Sequence, residues 1–121
     1  MVNRALMSFG RFLIAIIFLV SAFKKATAFT ATVERMAERG IPFTEIMAVG
    51  AIGFETLGGL MLATGFQPRA GALFLILFLI PTTVLFHPVT DPQQFTQFLK
   101  NLAILGGLCV VAAASDGRKG S

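Results

Sequence analysis

Glu55 is the only ionisable side chain in the 21 residues from Ile46 to Phe66. A carboxylate in so apolar a run needs a partner. Ionised and alone in hydrocarbon it would cost several kcal/mol, or it would take up a proton. Three arrangements answer this. An ion pair can fix which helix faces which; a water-accessible pocket can bind a ligand or move protons; a protonated acid can rest on backbone carbonyls with no further role. The side chains able to meet it are Arg11, Lys24, Lys25, His87, Lys100 and Asn101. Other chemistry is poorly served. One His and one Cys on different helices make neither a zinc set nor a bis-histidine haem, and His87, ahead of a proline, reads as a polar helix end. No Ser-His-Asp set, phosphate loop or nucleotide fingerprint occurs, so no catalytic residue is assigned. Cys109 is the single cysteine, so the chain cannot form its own disulfide, and it reads as a small hydrophobe in a packed helix.

The elements that must position these groups follow from composition. The chain has 121 residues, 55% hydrophobic and 13% charged, with a mean hydropathy of +0.81. A water-soluble domain of this size carries about a quarter charged residues. Four apolar blocks, roughly 5–29, 46–66, 70–86 and 98–115, each approach the ~20 residues that a helix needs to cross hydrocarbon. The expectation is an all-α polytopic membrane protein: one transmembrane domain over residues 1–121, an antiparallel bundle of four helices. A signal peptide does not explain the first block, because three more spans follow. The net charge of +4 suits anionic headgroups; the cations form no stripe, which argues against nucleic acid. Trp and Tyr are absent, leaving 13 Phe as the interfacial rings.

The uninterrupted apolar part of the first block, Phe12–Phe23, is 12 residues, or roughly 18 Å of helix, too short to span. The helix must therefore take in Arg11, Lys24-Lys25 or both, drawing a cation below the headgroups. Val33, Met36 and Ala37 at helical spacing, stopped by Gly40 and Pro42, predict a short amphipathic helix near 32–39 at the membrane surface or capping the bundle. In the second block Ala48, Ala51, Gly58, Gly59 and Leu62 share a face with Glu55, while Val49, Leu57 and Leu60 point elsewhere. Small residues mark the packed face of a membrane helix, so Glu55 should point into the bundle. Gln67-Pro68-Arg69 predicts a tight reversal. Thr82-Thr83 can bond the carbonyls freed by Pro81, and His87–Pro92 should leave the membrane as an extended loop.

Four antiparallel spans place both termini on one side, A, and the 30–45 and 87–97 loops on the other, B. Arg11 lies toward A; Lys24, Lys25, His87, Lys100 and Asn101 lie toward B. Arg11 is the first candidate partner of Glu55, since its fork can bind a carboxylate through two bonds; Lys24 and Lys100 are the runners-up. Five cations stand on each side. Without the membrane-drawn Arg11, Lys24, Lys25 and Lys100 the balance is four against two, favouring a cytoplasmic side A and both termini inside.

The chain resembles the DoxX family of small bacterial inner-membrane proteins. The carriers are Gly10-Arg11-Phe12-Leu13, Ser21-Ala22-Phe23-Lys24-Lys25, Met36 with Gly40-Ile41-Pro42, Glu55 with Gly58-Gly59, Gly65 with Arg69-Ala70, Phe86-His87, and Phe98-Leu99-Lys100-Asn101-Leu102 with Gly106-Gly107. The resemblance implies a four-helix transmembrane bundle and a role as membrane partner in redox chemistry. Its polar positions are Arg11, Lys24, Glu55, His87, Lys100 and Asn101. Three functions stay open: a quinone-proximal subunit of an oxidoreductase or redox-stress complex, a proton-coupled transporter or permeation module, and an assembly protein without a ligand of its own. The expected partners are the lipid bilayer, a soluble or membrane redox protein and further copies of the chain. A quinone is the expected ligand, with no covalent cofactor and no metal.

Overall fold

Glycine and proline punctuate a chain that otherwise has every reason to be helical, because hydrocarbon offers no water to satisfy a free backbone. The computed structural model describes residues 2–86 and 92–115. Its helices are α1 (Val2–Thr27), α2 (Phe29–Glu38), α3 (Thr44–Thr64), α4 (Pro68–Phe86) and α5 (Phe95–Ser115), the last preceded by a 3-10 turn over Pro92–Gln94. Among the described residues there is no strand, and α1, α3, α4 and α5 are long and apolar enough to cross a membrane. The protein is an all-α polytopic membrane protein. The loop expected from His87 begins outside the described residues.

The spans form a ring. α3 packs between α1 and α4, α4 packs on α5, and α5 returns to α1 through a lighter contact. Ala15, Phe18, Leu62, Leu75, Leu79, Leu108 and Val111 fill the centre. Their burial contributes packing rather than transfer from water, because lipid is as apolar as they are. Outside, Phe9, Phe23, Val49, Leu57, Leu77, Val84 and Val110 face the surroundings as a lipid-exposed surface should. Cys109 lies on that outer face, not packed as its sequence context predicts: α5 is apolar all round from Leu102 to Ala114, and its buried stripe runs through Leu108, Val111 and Ala112.

Gly65 ends α3 in the left-handed conformation (φ 80°), its N–H donating to the Met61 carbonyl. Pro68, which has no N–H to lose, then opens α4 after only three residues. Within α4, Thr82 Oγ1 donates to the Phe78 carbonyl at 2.8 Å, beside the carbonyl of Leu77 that Pro81 leaves without its usual donor. Thr83 does not share that task and instead accepts from Asn101 on α5.

The largest departure from a plain four-span bundle is α2. α1 stops at Thr27, Ala28 leaves helical geometry (φ −121°, ψ 50°), and α2 begins at once. Thr32 Oγ1 secures the corner by donating to the Ala28 carbonyl at 3.0 Å. Met36 packs with Ala48 and Ala51 of α3, and Phe29, Val33, Phe78 and Phe86 surround them. The short helix is thus present, and it caps the bundle by filling the space beside the side-B half of α3 that a longer α1 would have occupied.

Candidate functional site

The partner of Glu55 is Lys25. Its Nζ donates to Glu55 Oε1 at 3.0 Å and to Ser21 Oγ at 2.6 Å, and the Lys25 and Glu55 side chains are 17% and 4% exposed. On α1, Ala15, Phe18, Ala22 and Lys25 recur at helical spacing along the packed face. On α3, Ala48, Ala51, Glu55, Gly58, Gly59 and Leu62 are buried, as the wheel predicts. Gly59 lets the two helices close. A Cβ there would stand 2.8 Å from Leu19 Cδ2 and 3.6 Å from the Ala15 carbonyl oxygen.

This geometry overturns Arg11 as the partner. Arg11 Nε donates to the Leu62 carbonyl at 3.2 Å, near the side-A end of α3, and its second contact is Ser8 Oγ at 3.4 Å. Side chains lean toward the N-terminus of their own helix. On α1 that direction is side A, so Arg11 leans away from Glu55 while Lys25 leans toward it. On the antiparallel α3 the same rule tips Glu55 toward side B. The Arg11–Leu62 and Ala15–Gly59 approaches put Glu55 about level with Phe18, roughly 10 Å along the axis from Lys25. Two long side chains aimed at each other cover that distance.

The other polar positions scatter. Lys24, one residue from the paired lysine, is exposed, and so is Lys100. Asn101 Nδ2 donates to Thr83 Oγ1 at 3.0 Å, joining α5 to α4 rather than meeting the ion pair. His87 lies outside the described residues. Of the five expected positions among the described residues, only Glu55 belongs to the buried pair.

Lys25 also lines a cavity of about 280 Å³, together with Thr32, Arg35, Met36 and Arg39 from α2 and the loop beyond it, Phe78, Thr82 and Phe86 from α4, and Gln94. Lys25 Nζ sits 5.9 Å from the centroid of the Phe78 ring. Arg39 is fastened at the opposite end. Its Nη1 donates to the Leu85 carbonyl at 3.0 Å, and its guanidinium lies 5.3 Å from the Phe86 centroid. Arg35, Arg39, Phe78 and Thr82 did not stand out in the sequence as site residues. The signals were the four-residue spacing of the two arginines and the spacing of Lys25 along the small-residue stripe of α1.

Four apolar spans enclosing a carboxylate–ammonium pair, with a polar cavity against that pair, define a small helical integral membrane protein with an intramembrane polar site. The DoxX family model matches residues 6–88, and the chain belongs to the DoxX family, as its motifs suggested. It is similar to inner membrane protein YqjF of Escherichia coli, with 32% identity over 109 residues, 89% of this chain and 82% of that protein. It is also similar to inner membrane protein YphA of Escherichia coli, with 27% identity over 118 residues, 93% of this chain and 84% of that protein. No solved structure matches the chain.

Proposed function

We propose that this protein is an inner-membrane subunit of an oxidoreductase or redox-stress assembly, and that its cavity takes the head of a quinone. The observation that carries this reading is the dual position of Lys25: anchored by Glu55 and Ser21, its ammonium also lines a cavity that Met36, Phe78 and Phe86 give an apolar wall. A quinone carbonyl accepts hydrogen bonds and its ring is flat and apolar. Lys25, with one N–H left after Glu55 and Ser21, would supply the donor, while Met36, Phe78 and Phe86 would enclose the ring. The volume is near the lower end of ordinary ligand sites and suits a head group rather than a whole lipid-tailed molecule. A quinone stores and releases electrons; the partner would supply the flavin, metal or thiols with which it exchanges them. The inner membrane is supported by the names of the two relatives.

Transport is less well supported. Toward side A the pair gives way to Leu62, Leu75 and Leu108, all fully buried, and these offer a proton or solute no polar continuation.

Native mass spectrometry of gently extracted protein, with added short-chain ubiquinone, tests the reading. The expected result is a quinone adduct in the wild type that is lost in the Lys25→Met/Glu55→Gln double variant. Wild-type protein that takes up no quinone, or a double variant that binds it as well as the wild type, overturns it.

A further inference from the structure

The mouth of the cavity has a charge that a neutral quinone does not explain. Among the described residues that line it, Lys25, Arg35 and Arg39 are cationic and none is acidic. Lys25 is balanced by Glu55, which leaves the two arginines as net charge. Glu34 and Glu38 of the same helix are exposed and do not line the cavity. Arg35 lies in the last turn of α2 and Arg39 caps its C-terminal end, so both stand at the same end of the helix. Arg39 is held in place by the Leu85 carbonyl and the Phe86 ring, which engage one of its N–H donors and one face of its guanidinium.

We propose that this arginine pair is a binding site for the phosphate of an anionic phospholipid. Paired guanidinium groups are the side chains that best match phosphate oxygens, each through two N–H donors. The position suits a lipid. Arg39 reaches the last turn of α4, where the membrane span ends, and the neighbouring Val84 and Leu85 are exposed apolar surface along which acyl chains can lie. A phosphate drawn to the boundary between α2 and α4 would tie the two elements together and would seat a charged head over the opening to Lys25. This site does not depend on what occupies the interior of the cavity.

The test is native mass spectrometry of the intact purified protein in a neutral detergent. It is titrated with phosphatidylglycerol, phosphatidylcholine or inorganic phosphate, and added short-chain ubiquinone is read in the same samples. Phosphatidylglycerol should bind in preference to phosphatidylcholine, and Arg35→Gln/Arg39→Gln should weaken it about thirtyfold, two cations' worth of attraction. Arg39 also bonds the Leu85 carbonyl of α4, so Arg35→Gln alone, at an exposed position on α2, is the variant that should keep the wild-type melting profile while weakening phosphatidylglycerol about fivefold; Arg35→Lys/Arg39→Lys, which retains charge but loses the fork, should recover only part of the affinity. Binding of inorganic phosphate as strong as that of phosphatidylglycerol overturns the lipid assignment in favour of a soluble phosphate. Equal binding of both lipids, or an unchanged affinity in the glutamine variant, overturns the site itself. Ubiquinone binding that fails in the wild type while phosphatidylglycerol binding survives counts against the quinone reading alone.

Discussion

Lys25 and Glu55 are 30 residues apart in sequence, yet their charged atoms meet at 3.0 Å because each side chain leans along its own helix toward the other. Breaking such a pair leaves one charge unanswered in hydrocarbon, typically at ~3–5 kcal/mol, whereas neutralising both members can cost little. Glu55→Gln and Lys25→Met should each lower the melting temperature in a fixed detergent, and the double variant should regain much of the loss. Arg11→Gln combined with Glu55→Gln should instead be additive. Strict additivity for Lys25 and Glu55 would dissolve the pair.

The seam between α3 and α4 is tighter than that between α3 and α1. A Cβ at Gly71 would stand 2.8 Å from Met61 Cβ, an atom fixed to its backbone, and one at Gly58 would stand 2.6 Å from Cγ of the fully buried Leu75. At Gly59 the obstacle is the half-exposed Leu19 side chain, which can turn aside. Alanine should therefore destabilise in the order Gly71 and Gly58 first, then Gly59, as read by thermal unfolding. Gly53→Ala meets nothing within 4 Å and should be neutral or stabilising by up to ~1 kcal/mol from helix propensity. Leu57→Ala, on the lipid-exposed face, should cost less than Gly58→Leu or Gly59→Leu.

Arg11 closes the side-A end of α3. It donates to the Leu62 carbonyl, and its Nη2 lies 2.9 Å from where a Cβ on Gly65 would be. Gly65→Ala combines that clash with a left-handed backbone (φ 80°) and should cost ~1–2 kcal/mol or more. Arg11→Met should leave Gly65→Ala with the backbone penalty alone. A double-variant cycle with no coupling between the two positions would show that the guanidinium does not sit there.

The surplus of cations on side A after the membrane-drawn ones are set aside predicts cytoplasmic termini. A C-terminal alkaline-phosphatase fusion should be inactive in a bacterial host and a reporter that works in the cytoplasm should be active. The opposite pair of results would invert the topology.

The spans and the packed face of α3 were legible in the sequence because hydrocarbon imposes length and close packing imposes small residues; Gly58 and Gly59 announce both. The partner of Glu55 was not. α1 is apolar around most of its circumference, so composition alone does not say whether Lys24 or Lys25 turns inward, and a depth argument favoured Arg11. Depth omits the direction in which side chains lean, and that direction decides the matter. The place of α2 was equally hard to see. Its sequence has the polarity of a surface helix, and only the early end of α1 at Thr27 reveals the gap that Met36 and Val33 enter. The cavity depends on that placement, so Arg35 and Arg39 read as ordinary surface charges until α2 is docked.

Because the pair spans two separate helices, its members enter the bilayer at different moments. At synthesis rates of about 5–20 residues per second, Lys25 precedes Glu55 by roughly 2–6 s. During that interval α1 carries a cation with only Ser21 beside it, and α2 has no α3 or α4 against which to settle. Until Glu55 is made, the headgroups are the best partner that a snorkelling Lys25 ammonium can reach, so its inward place in the bundle depends on the arrival of α3.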